Sequence, residues 1–372
     1  MKLAWNNLAH DRLRFLVTVL GIACAVFLMI FEGSLLAGFA RAASRIIDVA
    51  DADIWITARG VPCVDFSAPL PRRFREIALG VPGVTSVTHL ITGSASWQKP
   101  SGARQTVIVV GADRGAGSAF PAPSLHKNGK GALLQRVLID RSNAASLGIL
   151  SLPAEVEISH IRATVSGAID GFASFIGSPY VFSDFADAAG YAGLGEEETV
   201  FLLAHIKAGW DRMAVRRALQ RRLPEADIWT RDEFSRHAQA FWLTQTGAGG
   251  SITLAALLGF LVGLAIVSQS IYASTMENIE EFATLKAMGA SRGYVQRVVL
   301  AQALASGLTG SFIGLAVAFP LMNAARGSIA WLFTPAWMPA FILGTGLVMC
   351  GLASLLSIRK AVSVEPGRVF RA

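Results

Sequence analysis

Charged side chains are scarce in this chain. Asp, Glu, Lys and Arg make up 16% of its 372 residues and hydrophobic residues 53%. Soluble domains carry about 25% charge, so an ordinary soluble globular protein is excluded. Cysteine is nearly missing too: of Cys24, Cys63 and Cys350, the first and last fall inside apolar runs, which excludes an intrachain disulfide framework outside a membrane. A G-x-x-x-x-G-K-[ST] phosphate loop is lacking. The nearest "GKG", Gly129 to Gly131, has neither the earlier glycine nor the Ser/Thr that would hold magnesium. No H-E-x-x-H or G-x-S-x-G occurs, and His10, His89, His126, His160, His205 and His237 are scattered without ligand spacing. The expectation is no catalytic set, no metal site and no cofactor bound by this chain; His205, inside an apolar strand, reads as structural.

What the chain has instead is apolar length. Phe15 to Phe31, Gly247 to Met276, Val298 to Ala325 and Gly327 to Ile358 are uncharged runs that approach or exceed the roughly 20 residues of a bilayer crossing. The first follows Lys2, Arg12 and Arg14 and outruns the roughly 7–15 residues of a signal-peptide core, so an uncleaved anchor is expected. The net charge of +7 is unevenly placed: residues 41–246 hold 22 Lys/Arg against 20 Asp/Glu, whereas segments 1–14, 277–297 and 359–372 together hold 10 against 5. That bias puts both termini in the cytoplasm, and the near balance elsewhere argues against a nucleic-acid partner.

The expected fold class is an α-helical integral membrane protein with four transmembrane helices and a mixed α/β extracytoplasmic domain inserted between helices 1 and 2. The expected boundaries are a cytoplasmic N-terminus 1–14, helix 1 at 15–40, the inserted domain 41–246 and helix 2 at 247–276. A cytoplasmic coupling segment 277–297, helix 3 at 298–322, an outer loop 323–337, helix 4 at 338–358 and a cytoplasmic tail 359–372 follow. Within the domain, Asp51 to Thr57, Arg104 to Asp113, Ala154 to Ser159 and Glu198 to Ile206 read as strands. "PRRFREIALGVPGV" and "GWDRMAVRRALQRRLPEADIWT" each read as a helix, a proline-bearing turn and a strand, with Gly80 closing the first helix and Asp211 capping the second. The similarity of the two units predicts paired α/β subdomains. "FPAPSLHKNGKGA" (Phe120 to Ala132) reads as a flexible surface loop.

Inside the spans, Glu32 falls at the outer interface, where a packing carboxylate is the simpler reading and a proton relay the alternative. Gln269, Gln302 and Asn323 read as packing residues. Gly259/Gly263 and Gly310/Gly314 are small-xxx-small pairs for close helix packing, and four thin helices predict a homodimer. Two Trp residues in "WLFTPAWMP" suit a membrane interface.

Between the second and third runs stands "MENIEEFATLKAMGASRGYV". At about 100° per residue, Phe282, Leu285 and Met288 share an arc of about 120°, and Glu277, Glu280 and Thr284 form an adjoining polar arc; Gly289 ends the helix. An acidic polar face disfavours anionic lipid, so the apolar anchors suit a groove on a cytoplasmic protein.

This segment, together with the long insertion after the first span, resembles the FtsX/MacB-type (type VII) ABC transporter permeases. Their E-R-x-R-E-I-G-x-L-x-A-x-G-A coupling segment aligns with Glu277, Glu281, Leu285, Ala287, Gly289 and Ala290, while Asn278, Glu280, Phe282 and Ala283 depart from it. "ATLKAMG" with "LAWNNLAHDRLRFLVTVLGIACAVFLM" is similar to the DevC branch, permeases of glycolipid-exporting systems, and "SVEPGRVFRA" resembles the family's tail.

The resemblance implies a permease homodimer in a bacterial inner membrane, bound to two copies of a separate ATPase that holds ATP and Mg. Glu277, Glu280, Glu281, Phe282, Leu285, Lys286, Met288 and Gly289 would couple that ATPase to the spans. For the DevC branch it further implies a periplasmic membrane-fusion adaptor, an outer-membrane duct, contact with membrane lipids, and a lipid, glycolipid or other amphiphile as cargo. The alternatives are an FtsX-like signalling permease acting on an external hydrolase, a lipoprotein-releasing permease like LolC/LolE, and, with little support, an anchored enzyme.

Overall fold

The computed structural model describes residues 12–113, 135–277, 284, 288 and 290–363. The loop expected at Phe120 to Ala132, the residues before Arg12 and those after Ser363 lie outside the described residues. The chain divides into two units, one formed by residues up to Gly38 with those from Ser251 onward, the other by Phe39–Gly250.

The first unit is helical. α1 (Arg12–Val49) is an unbroken 38-residue helix whose last turns, from Phe39, belong to the second unit; no proline interrupts it, and at about 1.5 Å per residue it is roughly 57 Å long. It outruns the span expected to end at residue 40 because Ile46, Ile47 and Ala50 are buried in the second unit's core, and that burial extends the helix past the apolar run. α6 (Gly247–Glu277), α7 (Arg292–Ala325) and α8 (Met338–Ser363) complete the unit. Among the described residues, helices of α1, α6 and α7 are long and apolar enough to cross a membrane, and α8 contributes the shorter apolar stretch Met338–Ser354. Ile22, Val26 and Ile30 of α1 form the core with Val267 of α6, Ala318 of α7, and Met349 and Cys350 of α8. Ser34, fully buried on α1, hydrogen-bonds Thr334 Oγ1 at 2.9 Å in the loop before α8.

The second unit is α/β. Its main sheet has nine strands in the order β11-β1-β10-β3-β4-β8-β5-β7-β6: β1 (Ile54–Ala58), β3 (Val84–Gln98), β4 (Arg104–Ala112), β5 (Arg136–Asp140), β6 (Ala154–Ile158), β7 (Ile161–Ile169), β8 (Tyr180–Asp184), β10 (Phe201–Ile206) and β11 (Ala226–Thr230). A separate pair joins β2 (Leu70–Pro71) to β9 (Glu198–Thr199). The fifteen-residue β3 pairs with β10 over its first half and with β4 over its second, and its end returns to β6 through Trp97↔Ile158. Strands β3, β4, β8, β5, β7 and β6 therefore close into a ring, while β11, β1, β10 and the start of β3 stay an open layer.

Alternation along β1 sorts the two faces of that layer. Ile54 and Ile56 face α2 (Phe74–Leu79) and α4 (Arg212–Arg222), in one core with Phe74, Ala78, Val215 and Leu219. Each of the buried Ile, Phe, Val and Leu side chains contributes about 1.5–3 kcal/mol. Trp55 faces the other way, 5.3 Å from Phe234 of α5 (Arg231–Thr244). The two helix–turn–strand repeats thus do not make the paired subdomains that their likeness predicts. Both pack on one sheet face, because neither α2 nor α4 can bury its apolar stripe alone. The last helix, α3 (Phe185–Ala192), is capped by Asp184 and ends at left-handed Gly193.

Candidate functional site

The link between α6 and α7 is set by how those helices end. α6 stays helical through Glu277, and α7 begins at Arg292, earlier than the expected span start at 298, because Ser291 Oγ accepts from the Tyr294 N–H at 3.3 Å as an N-cap. Between them the Met288 N–H donates to Thr284 O at 3.0 Å, the i to i−4 bond of a helical turn. Met288 is 73% exposed. Glu280, Glu281, Phe282, Leu285, Lys286 and Gly289 lie outside the described residues, as does the side chain of Glu277.

The four glycines of the small-residue pairs lie against α1 of the same chain. A Cβ at Gly310 would come within 2.7 Å of Ile22 Cβ and one at Gly314 within 2.6 Å of the Ala23 carbonyl oxygen, so α7 rests backbone-close on α1 where only glycine fits. Gly259 faces the stem of Glu32, its added Cβ 3.1 Å from Glu32 Cγ, and Gly263 faces Ala25 and Met29. Gln269 and Asn323, read as interhelical packing residues, are both exposed, and Asn323 Oδ1 accepts from Arg326 Nη1 at 3.0 Å at the end of α7.

α6 is the least covered span, with 11% of its apolar stretch buried against 44% for α1. Between α6 and α8 runs an apolar groove of about 450 Å³, lined by Phe260, Leu264, Phe341, Val348 and Leu352 among others.

In the inserted domain, sequence reasoning missed a cluster around Trp242, which no local spacing announces because its members are far apart in the chain. Trp242 meets Phe39, Phe66, Phe175 and Phe241 with ring centroids 4.8–6.3 Å away. Beside it the Tyr180 hydroxyl donates to Asp65 Oδ1 at 2.6 Å. Burial holds the Asp65 carboxyl above the usual carboxylate range, only partly offset by that hydrogen bond. Burial also pushes the Tyr180 hydroxyl well above its usual range and the Cys63 thiol up to about 11, with the Asp65 charge adding to both. His205 Nδ1 hydrogen-bonds Ser86 Oγ at 3.1 Å, and among the described residues no group of His, Cys, Asp and Glu could hold a metal ion.

Two family models match this chain. The MacB-like periplasmic core domain covers residues 15–222, more than half of the sequence, and the FtsX-like permease C-terminal domain covers residues 253–366. The chain belongs to the FtsX/MacB-type ABC transporter permeases.

An uncharacterized ABC transporter permease of Mycobacterium tuberculosis, in two strains, is 28% identical to this permease over 129 residues, 33% of this chain and 34% of the relative. The chain thus spans about a third of the length of these curated relatives. The periplasmic region of MacB from Actinobacillus actinomycetemcomitans is similar at 14% identity with a TM-score of 0.37, over 50% of this chain and 92% of that one. The extracellular domain of YknZ from Gram-positive bacteria is similar at 12% with a TM-score of 0.35, over 48% and 99%. Permeases of this family are not themselves catalytic, and the family implies an ATPase partner.

Proposed function

We propose that this permease is the transmembrane subunit of an ATP-driven exporter, coupling hydrolysis in a separate ATPase to movement of its inserted domain. The observation that carries the reading is the short link between α6 and α7, in which Met288, its N–H bonded to Thr284 O, is exposed between two apolar helices. An exposed apolar residue on a short helix suits a groove on a partner. In this reading four helices span a bacterial inner membrane with both termini cytoplasmic. Two permease copies bind two ATPase subunits, which hold ATP and Mg, and an adaptor with an outer-membrane duct completes a DevC-like path. The apolar groove between α6 and α8 supports a lipid, glycolipid or other amphiphile as cargo.

Replacing Phe282 and Leu285 together by Asp tests the docking step. Burying two large apolar side chains is worth about 3–6 kcal/mol, so ATPase co-purification and stimulated hydrolysis should fall by roughly 100-fold or more. Unchanged co-purification would rule the docking segment out. Export of an amphiphile by the reconstituted complex supports transport, and hydrolase activation without export would replace it by signalling.

A further inference from the structure

Glu32 is the single charged residue between Phe15 and Ala40, and residues 247–276, 298–325 and 327–358 hold none. It is half-buried on α1, and its carboxylate forms no hydrogen bond or ion pair among the described residues. An ionised carboxylate in apolar surroundings is costly unless a cation meets it. The apolar runs of this chain have no Lys or Arg to offer, and a second copy packed against them brings the same runs. A counter-ion would therefore come from a bound molecule.

Its place in the helices says what kind of molecule. Glu32 lies against Gly259 of α6, and the next residue, Gly33, lies against Met338, which opens α8: a Cβ on Gly33 would be 3.3 Å from Met338 Sδ. Deeper in, Gly263 of α6 faces Ala25 and Met29, and a Cβ on Gly346 of α8 would be 3.6 Å from Val26 Cγ2. α1 thus backs both walls of the apolar groove between α6 and α8. Glu32 stands at one end of it, since Gly259 precedes Phe260 and Met338 lies one turn before Phe341, both of which line the groove.

From Phe341 to Leu352 the groove follows α8 for about 16 Å. Thr345, the single polar side chain in its lining, already donates its hydroxyl to Phe341 O at 2.9 Å, so the walls offer hydrocarbon and no free donor. Phe341, Val348 and Leu352 are each more than half exposed, which opens the slot sideways, where a bilayer component would enter. Gly344, also in the lining, has nothing within 4 Å of an added Cβ. A carboxylate at one end of a hydrocarbon slot is complementary to an apolar tail carrying a cationic head.

We propose that the exported amphiphile is a long-chain amine, its tail in the α6–α8 groove and its ammonium paired with Glu32, an inference that rests on the export reading above. The test uses the full permease with its ATPase in lipid nanodiscs and two photoreactive probes. Both carry the same diazirine-bearing octadecyl chain, one ending in an amine and the other in an alcohol. Labelling of wild type, mapped to the α6 and α8 peptides that line the groove, should reach half-saturation at a roughly tenfold or more lower concentration of the amine. Glu32→Gln should raise the amine's value to that of the alcohol and leave the alcohol's unchanged, which shows that the groove is intact; Glu32→Asp should keep most of the preference. Gly344→Phe, which fills the slot, should weaken labelling by both probes alike, and ATP turnover should release bound amine. Equal labelling of wild type by the two probes, or an amine preference that survives Glu32→Gln, overturns the amine and leaves the amphiphile reading standing. Labelling of the groove by neither probe, or labelling that Gly344→Phe does not change, overturns both. Amine labelling that depends on Glu32 but is untouched by ATP turnover would replace cargo by a resident bilayer lipid.

Discussion

Asp65 shows how a single buried group sets a pH response in the inserted domain. Its carboxyl sits above the usual carboxylate range chiefly because burial disfavours the charge, with the Tyr180 hydroxyl only partly compensating. A raised acid favours the protonated folded state, so its contribution to stability is full below about pH 3.8 and is lost as pH rises toward the folded value. Asp65→Asn keeps an acceptor for Tyr180 and removes the charge. The melting temperature of the variant relative to wild type should therefore rise between pH 4 and pH 7, by about 2–4 °C for each kcal/mol recovered; a difference that stays flat or falls with pH would show that burial does not raise the Asp65 carboxyl. Nothing in the sequence near Asp65 announces this, because Tyr180 and Trp242, its neighbours in space, come from elements more than a hundred residues away.

Helix contacts carry the next level of organisation, and here local chemistry was more legible. Asp211 as the cap of α4 and Gly80 as the end of α2 follow from residue type and position, since capping is settled within one turn. The capping box of α5, Thr230 with Glu233, was equally available in "TRDE" and marks the helix that the sequence reading passed over. The small-xxx-small pairs were legible as close-packing sites, but not the helix they pack on, since a spacing carries no address. Gly314 supplies the test: Gly314→Ala drives a methyl toward the Ala23 carbonyl oxygen and should destabilise the full chain by about 1–3 kcal/mol. Gly351→Ala, where a Cβ meets nothing within 4 Å, should be neutral or slightly stabilising through helix propensity. Equal effects at the two positions would mean that α7 and α1 separate more readily than their contact implies.

At the scale of the whole molecule, the apolar runs and the long insertion were readable because hydropathy over some 20 residues needs no tertiary knowledge. The closed ring of strands was not, because β3 to β6 and β5 to β7 are pairings between distant or parallel segments, and β3 itself mixes Thr, Ser and Gly in a way that hides its length. α6, with so little of its apolar surface covered within the chain, is the helix on which the proposed second copy depends. In a background with Cys24 replaced by Ser, Leu257→Cys, at a position 53% exposed on α6, should cross-link to a dimer on oxidation in the membrane. A complex that holds two permeases yet never cross-links at this position would place the seam elsewhere.

β3 has one more consequence. Side chains on a strand alternate between faces, so sliding a strand by one residue exchanges its buried and exposed sets. In most domains that exchange damages one core. Here one continuous strand is read in two parts, its first half by the open layer through β10 and its second half by the ring through β4 and β6, with Leu90 common to both. Deleting a single residue near Gly93 would leave each end of β3 correct only if the other were wrong. The strand thus works as a shared ruler: the two halves of the domain cannot be re-spaced separately, and insertions that vary one half must enter through its loops.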